Sequence, residues 1–84
     1  MNEQTEDVLG LVDAVVRPLV DFEEDLQITA DEDEDGTIQV EIRVNEEDVG
    51  KVIGRQGRVI KSIRTLARAA ASRTDTHVEV ELVE

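Results

Sequence analysis

Ile38, Val40, Ile42 and Val44 alternate without a break with Gln39, Glu41 and Arg43. A period of two places all four apolar side chains on one face of a strand. Leu26, Ile28 and Ala30 alternate with Gln27 and Thr29 in the same way and predict a shorter strand. The acidic residues 31–36 between them read as a turn, so the two strands form a hairpin. Val78, Val80 and Leu82, spaced by Glu79 and Glu81, predict a last strand.

Elsewhere the spacing is helical. Val8, Leu11, Val12, Val15 and Leu19 recur every three or four residues. Thr5 is placed to cap this helix, with Glu6 and Asp7 in the first turn where the dipole favours acids. Pro18 stops or kinks it around Val16, and residues 21–25 form a connector. Asn45 caps a short helix with Glu46, Glu47 and Asp48 in its first turn. That helix turns Val49, Val52 and Ile53 inward and runs into Gly54. A longer helix starts after Gly57. Its apolar positions, Val59, Ile63, Leu66, Ala67 and Ala70, gather on one side, and Arg58, Lys61, Arg64 and Arg68 fall opposite. Thr74 and Asp75 punctuate its exit. The element order αββααβ suits an α+β fold, one three-stranded sheet packed on one face by three helices.

Composition narrows the functional classes. A chain of 84 residues makes one small domain, and 39 % hydrophobic residues support a single layer of core. Phe22 is the only aromatic ring, so that core is built from Val, Ile, Leu and Ala. Without cysteine there is no disulfide and no thiolate metal site, which fits a cytoplasmic location. The acidic N-terminus does not read as a secretory signal, and no apolar run approaches the roughly 18 residues of a membrane span. No Ser/His/Asp set has useful spacing. Lys51 precedes the glycine turn, whereas the lysine of a nucleotide triphosphatase loop follows its glycines. The expectation is a non-enzyme with no cofactor, no metal and no small-molecule substrate. Residues 31–36 match the first half of a calcium loop, D-x-D-x-D-G, with Ile38 at its apolar place; but the twelfth position is Ile42 and not the bidentate Glu such a loop needs. His77, the only histidine, reads as a surface strand position. Arg43 and Arg73 read as plain surface residues. The alanine-rich run 67–71 would let another helix approach closely, as a dimer contact does, or reflects simply the helix propensity of alanine.

Charge supplies the strongest functional signal. The formal net charge is −12, yet residues 51–73 hold seven of the nine basic residues and no acid. An acidic surface repels nucleic acid everywhere except at such a patch. Within the patch lies Gly54-Arg55-Gln56-Gly57, a Gly-x-x-Gly turn between two helices. Glycine permits the sharp turn and leaves no Cβ in the way of a ligand. The helix that follows offers free N–H groups and its positive dipole end to a phosphate. Lys51, Arg55 and Arg58 add charge, and Val49, Val52, Ile53 and Ile60 would form an apolar strip where splayed bases can pack.

With Val52-Ile53 before the glycines, a basic residue between them, a basic helix after them and strands on both sides, the sequence resembles the KH domain family. One helix and two strands before the motif with a single strand after it resemble the type II, bacterial arrangement. Residues 48–58, followed by Ile63-Arg64-Thr65, are similar to the small stand-alone bacterial KH proteins of the KhpA type. The resemblance implies one KH domain over residues 1–84, with an N-terminal helix-strand extension at about 5–30 and the core motif at about 37–83. It implies single-stranded RNA in a groove of about four nucleotides. Gly54, Arg55, Gln56 and Gly57 would clamp the backbone. Val49, Val52, Ile53 and Ile60 would line one wall, with Ile42 and Val44 near the other. Lys51, Arg58 and Lys61 would flank it. It further implies an RNA chaperone or post-transcriptional regulator, acting as a homodimer or with a larger KH-containing protein. The alternative is a docking or dimerisation subunit whose RNA contact is made mainly by its partner. The acid-rich residues 31–35 depart from the family pattern, since near the groove they would oppose a polyanion.

Overall fold

A computed structural model describes residues 3–71 and 76–83. The order is α1 (Glu3–Val16), β1 (Gln27–Glu32), β2 (Ile38–Arg43), α2 (Val49–Ile53), α3 (Arg58–Ala70) and β3 (Val78–Val83), with short 3-10 turns at Arg17–Leu19, Glu23–Asp25, Glu46–Asp48 and Arg55–Gly57. Arg73, Thr74 and Asp75 lie outside the described residues. Among the described residues, no helix is long and apolar enough to cross a membrane.

The sheet is mixed. β2 is central, antiparallel to β1 and parallel to β3. Its alternation buries Ile38, Val40 and Ile42 on the face covered by the helices, and the register aligns Ala30, Val40 and Val80 across the three strands. The open face carries Thr29, Gln39, Glu41, Glu79 and Glu81. β1 extends beyond the predicted strand, because Asp31 and Glu32 still pair with Gln39 and Ile38. The turn itself is closed by Asp33 N–H to Thr37 O at 2.9 Å and Gly36 N–H to Asp33 O at 3.0 Å. The Asp33 carboxylate accepts from the Asp35 and Thr37 N–H groups and from Gln39 Nε2. The Gln39 amide, with the turn N–H groups behind it, holds that carboxyl below its ordinary value.

α1 buries Val8, Val12 and Val16, one residue per turn, and passes into a 3-10 turn at Pro18, which has no N–H to continue the helical ladder. Thr5 is a buried position inside the helix and not its cap, since Glu3 is already helical. α3 is rotated from the expected face. Ile60, Ile63, Ala67 and Ala71 are buried, while Leu66 is 43 % exposed. The two candidate faces share Ile63 and Ala67, and packing against the valines of α1 selects the one that adds Ile60 and Ala71. Ala67 and Ala71 thus serve the close approach of this chain's own α1, which corrects their reading as a contact with a second chain. At that end Gln4 Nε2 donates to the Ala71 carbonyl at 2.7 Å, and Thr76 Oγ1 donates to Gln4 Oε1 at 3.1 Å.

Parallel pairing requires the chain to return to the start of β2 before β3 begins, and α3, about 20 Å long, makes that return. The Gly-x-x-Gly turn at the start of α3 therefore sits at the end of the sheet opposite the acidic hairpin turn.

Candidate nucleic-acid interface

α2 stops after five residues because Gly54 leaves the helical region, with φ 77° and ψ 176°. Only glycine occupies that region without strain. A Cβ at Gly54 would lie 2.4 Å from Val59 Cγ2 and 2.9 Å from Val59 N, so its absence lets the first turn of α3 close against the end of α2. Gln56 (φ 57°, ψ 24°) and Gly57 (φ 74°, ψ 15°) are both left-handed. The Gly57 N–H donates to Gly54 O at 3.2 Å, and the Arg58 N–H donates to Arg55 O. Arg55 and Gln56 are exposed at the tip, where the N-terminal dipole end of α3 also points.

The short helix is anchored from behind by a group that the sequence does not advertise. Asp48 is 0 % exposed. Its carboxylate accepts from the Asp21 N–H at 3.1 Å and the Phe22 N–H at 3.0 Å, which ties the α1–β1 connector to the start of α2. Lys51 Nζ donates to Asp48 Oδ1 at 3.3 Å and to Asp21 Oδ2. Burial pushes the Asp48 carboxyl up, but the Asp21 and Phe22 N–H groups and the Lys51 ammonium together hold it below its ordinary value. The Asp21 carboxylate, with Asp48 behind it, raises Lys51. Asp48 ends a run of three acids that reads as an ordinary helix first turn, so no local signal marks it out; its role arises from a connector remote in sequence. Asn45 does cap this segment, accepting from the Glu47 N–H at 2.8 Å.

The cations divide into two groups. Arg17 pairs with Asp13 at 2.7 Å, Arg43 stands 4.0 Å from Glu41, and Lys51 pairs with Asp21 and Asp48. No ion pair engages Arg55, Arg58, Lys61, Arg64 or Arg68 among the described residues. Arg58 Nη2 donates to the neutral Gln56 Oε1 at 3.1 Å, and Arg64 Nε to the Val80 carbonyl at 3.3 Å. The positive field of 55–68 is thus left uncompensated, although the chain carries 21 acids. The acids of β2 and β3, Glu41, Glu79 and Glu81, stand on the open face of the sheet, away from the helices.

The predicted apolar strip is narrower than the sequence suggested. Val52 is 0 % exposed and Ile60 8 %, so both belong to the core and present little or nothing to a ligand. Ile42, in the central strand beneath the helices, is also fully buried, which removes it from the second wall. Val49 and Ile53 are half-buried and flank the turn on α2; Val44 is half-buried after β2. Lys61 is exposed one turn into α3. Among the described residues, Lys51 alone of the predicted flanking cations is neutralised by carboxylates.

A family model for the KhpA/KhpB KH domain matches residues 10–82. A protein of Listeria monocytogenes named RNA-binding protein KhpA is 43 % identical over 74 residues, 88 % of this chain and 96 % of that one. Its namesake in Borreliella burgdorferi is 42 % identical over 76 residues, 90 % and 92 % of the two chains. That of Leifsonia xyli is 42 % identical over 66 residues, 79 % and 86 %.

Proposed function

The chain belongs to the KhpA/KhpB KH-domain family, and from that premise we propose that it binds single-stranded RNA and catalyses no reaction. The observation that carries this reading is the set of cations at 55–68, unpaired with acid among the described residues of a chain of charge −12 and gathered around a glycine turn at a helix N-terminus. Gly54, Arg55, Gln56 and Gly57 hold the RNA backbone. The two glycines allow close approach, and Arg55 and Arg58 supply charge. Val49 and Ile53 offer apolar surface to the bases, with Val52 and Ile60 holding that wall from beneath. Lys61 extends the charge along α3. Lys51 shapes the site by fixing α2 to the connector. With no aromatic ring near the turn in sequence, base stacking is weak and affinity modest.

The family's small stand-alone members are proteins of this size, and we assign the chain the role of an RNA chaperone or post-transcriptional regulator in the cytoplasm, as a dimer. The exposed Leu66 on α3 supports contact with a second copy or a larger KH-containing protein, and two tethered clamps raise the apparent affinity. The same side chain favours the second reading, a docking subunit whose partner makes most of the RNA contact.

The test is binding of short single-stranded RNA to the wild type and to the double variant Arg55→Asp, Gln56→Asp, at low and moderate salt. Both glycines remain, and Asp tolerates the left-handed conformation of position 56, so circular dichroism should be unchanged. The expected result is salt-sensitive binding by the wild type and none by the variant. Equal binding by both overturns the clamp, and no binding by either, even at high concentration, leaves the docking reading in its place.

A further inference from the structure

Resting on the RNA-binding reading, a second feature of α3 extends it. On a helix, Arg58, Lys61, Thr65 and Arg68 fall within about 80° of one another, and all four are exposed. From Arg58 to Arg68 the stripe runs about 15 Å along the axis. α3 contains no acidic residue. None of its cations meets a carboxylate among the described residues, whereas Arg17, Arg43 and Lys51 each do. Among the described residues Arg68 therefore stands as an isolated positive charge about three turns beyond the glycine turn, farther than a four-nucleotide clamp requires.

Two occupants could neutralise this stripe, a polyanion or another protein chain. Leu66, the one exposed large apolar side chain among the described residues, lies on the other flank of the helix, about 140° from Lys61 and about 160° from Arg68. A chain seated on Leu66 leaves the basic flank open. A second copy of this chain packed two-fold symmetrically over the stripe, α3 against α3, would bring its own α3 cations toward these. Charge complementarity on that flank selects a strand of phosphates.

We propose that Arg58, Lys61 and Arg68 continue the phosphate track beyond the Gly-x-x-Gly turn along the exposed face of α3, so that the chain holds a strand of about seven nucleotides. The first four lie in the clamp. The remainder is held chiefly by charge, since the Thr65 hydroxyl on that flank is already spent on the Lys61 carbonyl at 3.1 Å.

The experiment compares wild type, Arg68→Ala and Arg68→Glu against oligouridine tetramers and heptamers by fluorescence anisotropy across a salt series, with light scattering on each protein. Register multiplicity favours the heptamer in all three proteins alike, so the ratio between proteins is the readout. Arg68→Ala should weaken the heptamer about threefold and Arg68→Glu about tenfold, and the salt slope should fall by about 0.7 for the removed cation. The tetramer should bind all three equally. Heptamer binding that is equal in all three proteins overturns the track. Equal loss of both lengths together with a changed mass overturns it in favour of a protein contact at Arg68. If the wild type binds neither length, the RNA-binding reading fails and the track with it.

Discussion

Replacing Gly54 by alanine adds one methyl group at the point where α2, the turn and α3 converge. Two independent costs arise. The backbone at φ 77°, ψ 176° is open to glycine alone, and forcing an L-residue there costs about 1–3 kcal/mol. The new Cβ would also sit 2.4 Å from Val59 Cγ2, 2.8 Å from Val59 Cβ and 2.9 Å from Val59 N, an overpacking worth about 1–3 kcal/mol more. Because two of those three atoms survive in Val59→Ala, that second change should not rescue the first. Gly57 provides the internal control. It is left-handed too, but a Cβ there meets only Lys61 Cε at 4.0 Å, the far end of a flexible side chain. Gly57→Ala thus carries the left-handed penalty alone, about 1 kcal/mol. In a domain of this size 1 kcal/mol moves Tm by about 4–8 °C. Thermal melts followed by circular dichroism should show a loss of about 12–24 °C for Gly54→Ala, taken at about 3 kcal/mol, and about 4–8 °C for Gly57→Ala. Equal shifts, or a larger one at Gly57, would refute the claim that Gly54 exists for the contact with Val59.

Four further outcomes follow from the site. Val52→Ala should lower stability by about 2 kcal/mol while the folded fraction binds RNA normally, whereas Ile53→Ser should leave the melt nearly unchanged and weaken RNA; the reverse pattern would return Val52 to the groove. Arg55→Ala should reduce the salt slope of RNA binding by about 0.7, and Lys51→Ala should leave that slope in place, since its charge is already matched; an equal drop for both would show Lys51 on the phosphate. The pH dependence has a defined sign. The Asp48 carboxyl is held below its ordinary value of 3.8, so the folded chain binds fewer protons there than the unfolded one, and the associated stability is complete above that value and lost as pH falls from it through the lower folded value. The gap in Tm between wild type and Asp48→Asn should therefore narrow as pH falls below about 5, and a constant gap would refute it. Gln56→Gly should hold or raise Tm, because position 56 is left-handed at φ 57°; a clear loss would mean that the Gln56 side chain contributes more than the strain it carries.

The elements were legible in the sequence wherever a short period faced one partner. β2 alternates because one layer of helix covers one face of it, and local pattern is then sufficient. α3 was harder. Its apolar residues offer two overlapping faces, and only the presence of α1 decides that Ile60 and Ala71 turn inward while Leu66 turns out. The glycine turn was readable because backbone permissiveness and charge are both local properties. The walls of the groove were not, because Val52, Ile60 and Ile42 look the same in sequence whether they line a surface or lie beneath it. Asp48 was hidden for the same reason as Lys51's true partners. Both depend on residues 21–22, which reach them only through the tertiary fold.

The parallel pairing of β2 with β3 also orders events in time. Every residue of the glycine turn and of the basic helix lies between those two strands, so Ile38 meets Val78 only after the whole intervening segment has been synthesised and its loop closed. The hairpin of β1 and β2 can form early by local contacts, but the platform under α3 is incomplete until the last strand docks. A growing chain thus exposes its cationic segment before β3 exists to pair with β2, so the sheet beneath α3 can be completed only after the whole RNA-facing segment has been made.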